Sequence, residues 1–412
     1  MSIDQILSVL EISQDGITLV TGQFLNTRLN ILKISRYDAY GLENNRVVNF
    51  GALVDSVKKV ISDSSEALGV NISKVILLIP GFDVEKKSRR ITVSISNSER
   101  LVSAKEIRKL ISDANRLENQ TSRELINTSI NNFYVNQVKQ DGAPLNVSGD
   151  LLTGDIDLYY ANKEVTHQFV KIVETAGVQV ADICLDAFAA MKEMPLSDES
   201  FNKHIVTIDL HEHFTALALV SRGRLLTVTT IDIGYDCWLR DIINHGDIDI
   251  RSARKLIENN LSLKEKDNNI ICWYDKVDGN TSTVSVAQLN SLANKGIYKW
   301  VKEIAQLCQM IAEKGEIKYY LYGRAVNIEG IEEVLKDEIK GDLKLYSPST
   351  IGARDSSLVS ILGAFYVHFD QKYLFSKQLD CIDRLAFRES IEKTLDDNDN
   401  IITSKIKKWF ER

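Results

Sequence analysis

The stretch "IVTIDLHEHFTALALV" (205–220) concentrates residues that could do chemistry. An apolar run ends on Asp209, and a short polar break containing His211, Glu212 and His213 precedes a second apolar run. On a strand, His211 and His213 would share one face and could bind one metal ion, but no third ligand follows at a suitable spacing. The break is also consistent with an altered phosphate loop. The pattern favours the polar turn of a hairpin over a metal site.

A similar arrangement near the N-terminus indicates an internal repeat. Residues 8–35 and 205–231 each predict three apolar strands joined by tight turns. Each first strand ends on an acid, Glu11 or Asp209, and each second strand opens a few residues after that acid. Both meanders lead towards helical segments. Two such halves predict a duplicated α/β fold with a cleft between two lobes.

A third feature is the segment "IKYYLYGRAVNIEGIEEVLKDEI" (317–339), which predicts an apolar strand, a turn at Gly323 and an amphipathic helix. Strand–glycine–helix turns place backbone amides and a bare Cα where a nucleotide can lie close. Many αβ units begin in this way, so the turn by itself does not define a site.

Composition excludes several classes of protein. The chain has 412 residues, 44% of them hydrophobic, which is enough for two domains or one large bilobal domain. With 57 acidic and 50 basic residues, no basic field would gather nucleic acid. Five widely spaced cysteines argue against a zinc ribbon or disulfide framework. We expect a cytoplasmic protein, because the sequence shows neither a signal peptide nor an apolar run long enough to span a bilayer.

Six segments stand in an order that is typical of one protein family. They are "ILLIPGFDVEKKSRRITVSI" (76–95), "VSAKEIRKLISDANRL" (102–117), the stretch 146–191, "TTIDIGYDCWLRDI" (229–242), "YLYGRAVNIEG" (320–330) and "SSLVSILGAFYVH" (356–368). Each match is weak alone, but their common order is specific. Almost from end to end, the chain resembles the FtsA proteins of bacterial cell division, within the actin-like ATPase superfamily.

The resemblance implies an α/β fold of the duplicated, actin-like (ribonuclease H-like) type, with two lobes and an FtsA-type insertion subdomain in the first. By position, the implied parts are a first-lobe core (1–83 and 164–197), the FtsA-type insertion (84–163), a second-lobe core (198–234 and 301–387), a second-lobe insertion (235–300), a flexible linker (388–400) and an amphipathic helix (401–412).

The resemblance also implies a cleft for ATP and Mg²⁺. The residues implied to line it are Glu11, Gly16, Asp209, Thr215, Gly234, Gly323 and Ala325. The phosphate hairpins of the family typically read like "DIGTSK" and "DIGGGT", and their glycines let backbone amides approach the phosphates. This chain has "EISQDG" and "DLHEHF", Glu212 would add negative charge beside a polyphosphate, and Arg324 replaces an expected glycine. ATP binding therefore stays open, and we expect a weak ATPase at most.

The last residues predict a tethered membrane-binding helix. The segment 388–400 is polar and acid-rich, as expected of a solvated linker. In "IITSKIKKWFER" (401–412), apolar residues recur at helical spacing with cations beside them, which suits an anionic membrane surface. The residues expected to contact the membrane are Ile402, Lys405, Ile406, Lys408, Trp409 and Phe410. The alternative is a terminal helix docked on the protein's own core.

By resemblance, the implied function is a cell-division adaptor. It would form actin-like filaments and tether FtsZ to the inner face of the cell membrane at the division site. The C-terminal peptide of FtsZ would dock on the second-lobe insertion. The alternative is a PilM-like pilus-assembly protein that binds ATP. An active sugar kinase or chaperone ATPase is a further alternative, which the glycine-poor second hairpin disfavours.

Overall fold

The computed structural model describes residues 4–390 except for 26, 44, 82, 118–120, 195, 201–202, 247, 265–267, 278–279, 313–315 and 372–378. The predicted helix 401–412, and the predicted linker from residue 391 onward, lie outside the described residues. Within the described part, no helix combines the length and the apolar character that crossing a membrane requires.

The first half of the chain forms lobe I and an insertion within it. Its elements are β1 (Asp4–Ser13), β2 (Gly16–Leu25), β3 (Arg28–Tyr37), β4 (Leu42–Glu43), β5 (Arg46–Val47), α1 (Phe50–Leu68), β6 (Lys74–Ile79), β7 (Glu85–Ser94), α2 (Ala104–Arg116), β8 (Arg123–Val135), β9 (Val138–Gln140), β10 (Leu151–Asn162), α3 (Lys163–Thr175), β11 (Gln179–Leu185), α4 (Asp186–Glu193) and α5 (Leu196–Glu199).

The second half forms lobe II and also contributes a late helix that returns to lobe I. Its elements are β12 (His204–Leu210), β13 (Thr215–Ser221), β14 (Arg224–Ile231), α6 (Asp236–Gly246), α7 (Ile250–Asn260), β15 (Ile271–Val277), β16 (Asn280–Ser285), α8 (Val286–Ala312), β17 (Ile317–Gly323), α9 (Ile331–Ile339), β18 (Asp342–Leu345), a short 3₁₀ helix (Ser356–Leu358) and α10 (Val359–Asp370).

Two five-stranded sheets of identical topology form the centre of the molecule. The first has the order β3-β2-β1-β6-β11, and the second has the order β14-β13-β12-β17-β18. In each, an antiparallel meander is followed by two parallel strands. Glu11 lies opposite Leu78 of β6, and Asp209 lies opposite Tyr322 of β17, so the two acids hold equivalent places. The predicted repeat of two meanders is confirmed.

The central strands of lobe I are apolar on both faces. In β1 the residues Ile6, Leu7, Val9 and Leu10 are all buried, where a strand with one wet face would alternate. Helices cover this sheet: α1 and α3 pack on it, and so does α10. Coverage on both faces leaves the carboxyl ends of the parallel strands as the place where a cleft can form.

The insertion of lobe I is a four-stranded sheet, β7-β10-β8-β9, with α2 packed against it. It has its own small core, in which Ile107 and Leu110 of α2 lie among residues such as Leu152 and Leu158 of β10. Ser103 and a glutamate one helical turn later form a capping box at the start of α2. The insertion is therefore a packed unit, positioned by β7 and β10 at the edge of lobe I.

The helix α10 packs on lobe I, although the sequence assigned 301–387 to lobe II. It lies against α4, β1 and β6. Gly363 allows the close approach, because a Cβ there would lie 1.8 Å from the carbonyl oxygen of Ala189. Further along, the backbone N–H of Cys381 donates to the carbonyl of Ile6 at 2.9 Å. This part of the predicted assignment to lobe II is thus corrected.

Candidate functional site in the interlobe cleft

The turn between β1 and β2 meets the turn between β12 and β13 in the cleft. Asp15 accepts a hydrogen bond from the backbone N–H of Glu212 at 2.9 Å through Oδ1, and its Oδ2 lies 2.8 Å from His211 Nδ1. The Asp15 side chain is 3% exposed. Gly16 follows with a φ of +129°, a conformation that suits glycine and lets the chain turn directly into β2. A lobe I carboxylate therefore joins the two turns.

His211 lies between two carboxylates. Its Nε2 is 3.1 Å from Asp209 Oδ2, and its ring stacks on Phe214 with the ring centroids 4.1 Å apart. Burial opposes the charged form, but the charges of Asp209 and Asp15 outweigh burial and raise the pKa of His211 well above its usual value. A protonated imidazole has no lone pair for a metal ion. Among the described residues, no group of three or more potential ligands forms a metal site.

Arg324 enters the cleft from the turn after β17. Its backbone N–H donates to the carbonyl of Leu210 at 2.8 Å, and its Nε lies 3.7 Å from Asp15 Oδ2. Gly323 has a φ of +106°, and a Cβ there would lie 2.6 Å from Asp209 Oδ1. Ala325 has a φ of +52°. The predicted glycine turn is present, and it directs an arginine towards lobe I.

Two further acids complete the group. Burial raises the pKa of Glu11 to about 7, although the charge of His211 opposes the shift. Burial and the charge of Asp209 raise the pKa of Asp186 to about 7. Asp186 Oδ1 accepts a hydrogen bond from the Gly81 N–H at 2.8 Å. We refer to Glu11, Asp15, Asp186, Asp209, His211 and Arg324 as the cleft cluster.

Sequence reasoning missed two members of the cleft cluster, Asp15 and Asp186. Asp15 is the acid of the "SQDG" turn, directly before Gly16. Asp186 is the first residue of α4, directly after β11. The position of Asp186 in the chain could have revealed it. The carboxyl ends of parallel strands meet at one edge of a sheet, so an acid directly after β11 lies near an acid at the end of β1.

The side chain of Glu212 is buried inside lobe II. Its side chain is 2% exposed and accepts hydrogen bonds from the Tyr235 hydroxyl at 3.1 Å and from Arg254 Nε at 3.1 Å. His213 lies between two acids, with Nδ1 3.2 Å from Asp236 Oδ2 and Nε2 3.7 Å from Glu212 Oε1. Arg254 of α7 forms an ion pair with Glu212 and so balances the negative charge that the sequence predicts beside a polyphosphate. Its backbone amide, not its side chain, faces Asp15.

Thr215 and Gly234 lie behind the second hairpin. Thr215 Oγ1 donates to the carbonyl of Ile233 at 2.7 Å and accepts from Trp300 Nε1 at 2.9 Å. A Cβ on Gly234 would lie 2.2 Å from the carbonyl oxygen of Glu212, so only glycine fits between that hairpin and α6. Glu11, Gly16, Asp209 and Gly323 come together in the cleft, whereas Thr215 and Gly234 support the hairpin from behind.

A cavity of about 940 Å³ lies next to the two turns. It is bounded by the end of β6, the start of α3 and the β4–β5 hairpin of lobe I, and by the second hairpin and the start of α6 from lobe II. Its charged lining residues, besides His213, are Glu43, Arg46, Asp83, Asp232 and Asp236. Carboxylates outnumber the one arginine, so this lining suits a cation better than a polyphosphate.

A second polar contact joins the lobes at the insertion. Asp157 of β10, whose side chain is fully buried, accepts hydrogen bonds from Arg224 of lobe II at 2.6 and 2.7 Å. Ser88 at 2.6 Å and Asn131 at 3.0 Å also donate to it, and Lys86 Nζ lies 3.3 Å away. We refer to Lys86, Ser88, Asn131, Asp157 and Arg224 as the insertion cluster.

Comparison with curated proteins finds relatives of this chain among FtsA proteins. Cell division protein FtsA of Bacillus subtilis (strain 168) is 20% identical over 383 residues, which cover 88% of this chain and 83% of that protein. Cell division protein FtsA of Streptococcus pneumoniae serotype 2 (strain D39 / NCTC 7466) is 21% identical over 368 residues, or 86% of this chain and 78% of that protein. No protein-family model matches the chain. The resemblance predicted from the six segments is confirmed.

Solved structures show the same fold. A PilM–PilN type IV pilus biogenesis complex contains a chain that superimposes with a TM-score of 0.56 at 14% identity, covering 90% of this chain and 98% of that one. MreB5 of Spiroplasma citri bound to ADP gives a TM-score of 0.52 at 12% identity, covering 89% of this chain and 98% of that one. The predicted duplicated, actin-like two-lobed fold is confirmed.

Proposed function

We propose that this divergent FtsA-like protein is a bacterial cell-division adaptor, which assembles into actin-like filaments and tethers FtsZ to the inner face of the cytoplasmic membrane. The observation that carries the proposal is the similarity to FtsA proteins over most of the chain, across both lobes and the insertion. An adaptor needs three surfaces: one for FtsZ, one for other copies of itself, and one for lipid.

The FtsZ-docking surface would be the second-lobe insertion, at 235–300. Three large apolar side chains at β15, Ile270, Ile271 and Tyr274, are 68%, 59% and 73% exposed. Large apolar side chains that stay exposed are common at protein-binding surfaces of soluble proteins. We propose that the C-terminal peptide of FtsZ binds here. This region supports the proposal because it is packed onto the lobe II core through α6 and α8, and therefore presents a fixed surface.

The membrane surface would be the segment 401–412. Its four large apolar residues, Ile402, Ile406, Trp409 and Phe410, would each contribute roughly 1.5–3 kcal/mol when buried in the interface. Each of its cations, among them Lys405 and Lys408, would add about 1 kcal/mol near anionic lipid. Helix formation costs part of this, so one segment binds reversibly. Many segments on one filament hold firmly through effective concentration.

ATP with Mg²⁺ is the ligand class that the fold suggests for the cleft, since a neighbour of the same fold is described with ADP. We expect hydrolysis to be slow. The second hairpin lacks the usual glycines, and its Glu212 amide already binds Asp15. The chain would therefore act by binding FtsZ and lipid and by assembling into filaments, and not by turning over ATP.

The membrane proposal is tested by co-sedimenting the cognate FtsZ with anionic liposomes and the full chain. The intact protein should bring FtsZ down, and Trp409→Glu should lose most of that capture because a charge replaces the largest apolar anchor. Trp409→Phe is the matched control and should retain capture. Equal capture by Trp409→Glu and the intact protein contradicts a lipid anchor at this segment.

A second arm of the same assay tests the docking surface. Ile270→Asp should still sediment with liposomes but lose FtsZ. The control is Val138→Asp, which places the same charge on a residue 64% exposed in the insertion of lobe I. If both variants lose FtsZ equally, or neither does, docking at β15 is wrong.

The alternative function is a PilM-like role in pilus assembly, which the structural similarity to the chain in the PilM–PilN complex favours. Removing residues 388–412 separates the two. An adaptor of the FtsA type loses liposome binding on this truncation, whereas a PilM-like protein has no such dependence.

A further inference from the structure

Three groups of lobe II converge on the carboxylate of Asp15 in lobe I. The backbone amide of Glu212 lies 2.9 Å away and His211 Nδ1 lies 2.8 Å away, both within hydrogen-bond distance, and Arg324 Nε forms an ion pair at 3.7 Å. The three groups come from two separate turns of lobe II, after β12 and after β17. Two positive side chains and one amide around a single pair of oxygens form an anion-binding arrangement.

The position is one where a phosphate could bind. It lies between the two hairpin turns, beside the carboxyl ends of the lobe I strands, which is where ligands of α/β sheets are found. A carboxylate and a phosphate offer the same kind of acceptor oxygen to an amide, an imidazolium and a guanidinium. We propose that the Asp15 carboxylate is a built-in substitute for a phosphate, which holds the two lobes together without a bound nucleotide.

Covalent attachment gives Asp15 an advantage over any free anion. The acid is carried on the tight β1–β2 turn, which the positive φ of Gly16 permits, so it is presented to its partners at a high effective concentration. A nucleotide would have to displace it before its phosphates could reach the Glu212 amide. The side chain is 3% exposed, so its two oxygens are already enclosed by their partners.

The surroundings oppose displacement by a polyphosphate. The adjacent cavity carries Glu43, Asp83, Asp232 and Asp236 against Arg46. Glu11, Asp186 and Asp209 add three more acids within the cleft cluster. A single compact carboxylate meets less repulsion here than a triphosphate would. If the inference holds, the cleft does not take the ATP–Mg²⁺ that the fold suggests for it. FtsZ docking and the membrane segment do not depend on this outcome.

Thermal unfolding in matched ionic strength tests the proposal, with chloride, inorganic phosphate and ATP–Mg²⁺ as the three conditions. The intact protein should unfold at the same temperature in all three, because its anion position is filled. Asp15→Ala should unfold at a lower temperature in chloride and recover in phosphate. At ten times its dissociation constant, phosphate should raise the folded-to-unfolded ratio of this variant about tenfold.

The control is Ser64→Ala, which removes a buried hydroxyl that donates to Ser35 at 2.6 Å in lobe I, away from the cleft. It should be destabilised without any recovery in phosphate. The proposal is overturned if ATP–Mg²⁺ stabilises the intact protein as much as Asp15→Ala, or if phosphate stabilises neither. Where Asp15→Ala fails to fold, Asp15→Ser replaces it, because the shorter side chain also vacates the position of the carboxylate. A response of Asp15→Ser to phosphate no larger than that of the intact protein also overturns the proposal.

Discussion

The cleft cluster and the insertion cluster both join lobe I to lobe II through a buried carboxylate, but they balance its charge differently. In the insertion cluster, Asp157 is bound by Arg224 and Lys86, with Ser88 and Asn131 satisfying the remaining lone pairs. Burial would raise the pKa of Asp157, but the hydrogen bonds from Arg224 and the neighbouring donors lower it overall. The single acid Asp157 thus has two cations and two neutral hydrogen-bond donors around it.

The cleft cluster has the opposite balance. Four acids share two cations, His211 and Arg324, and the pKa of both Glu11 and Asp186 rises to about 7 as a result of burial. Buried acids whose pKa is raised in this way lower the stability of the fold and are characteristic of functional sites. Where an acid has no function, an apolar residue or a paired acid is more stable at the same position. The difference indicates that the insertion cluster joins the lobes through a fully paired charge. The cleft cluster, where Asp15 also joins the lobes, holds acids whose protonation a change of pH can alter.

The largest expected effect is on the insertion cluster. Arg224→Met removes the bidentate partner of Asp157 and leaves a buried carboxylate with Lys86 as its only cation within the cluster. Breaking a buried pair costs about 3–5 kcal/mol when the charge left behind is uncompensated. Here Lys86 remains and the Arg224 side chain is 36% exposed, so we expect the lower part of this range, about 3–4 kcal/mol. We expect the urea midpoint of unfolding to fall accordingly, measured by far-UV circular dichroism.

The control for this prediction is an exposed pair in the same insertion. Arg100 lies 2.6 Å from Asp150, and their side chains are 69% and 62% exposed. Arg100→Ala should cost at most about 1 kcal/mol, because solvent screens exposed pairs. If the two substitutions have the same effect, the insertion cluster is not a lock between the lobes.

A smaller effect, with a pH signature, is expected in the cleft cluster. The pKa of Glu11 is about 7 in the folded protein against an ordinary value of 4.5. Folding therefore favours its protonated form: this contribution to stability is fully present below pH 4.5, is lost as pH rises to about 7, and does not change above that. Glu11→Gln should remove this loss, so its gain in stability over the intact protein should grow from about 1 kcal/mol at pH 5 to about 3 kcal/mol at pH 7 and above.

Differential scanning calorimetry at a series of pH values measures this difference. Glu99→Gln, at an exposed position, is the control and should follow the intact protein at every pH. A parallel pH dependence in Glu11→Gln and the intact protein would show that Glu11 is not held in its protonated form, and the contrast between the two clusters would then be lost.

The fold was predictable because its signals are local. Apolar strands, tight turns and the acids Glu11 and Asp209 repeat in sequence, and the two sheets repeat in the same way. The pairing of Asp15 with His211 was not predictable, because it joins turns 196 residues apart and depends on how closely the lobes approach. The placement of α10 failed for another reason. Nearly all of its residues are buried, so its sequence has no polar face to indicate which lobe it covers.

The smallest effect is expected for a substitution in the second hairpin. It tests whether the stability of that hairpin depends on the charges in the cleft. Thr215 was predicted as a nucleotide contact, yet its hydroxyl joins Ile233 and Trp300 inside lobe II. Thr215→Val keeps the shape and leaves those two neutral groups unsatisfied, at a cost of about 1–2 kcal/mol. Neither partner titrates between pH 5 and 8, so the loss should be constant over the range in which Glu11→Gln gains stability. A loss that changes with pH would mean that Thr215 is coupled to the acids of the cleft cluster, and that the hairpin and its charges act as one unit.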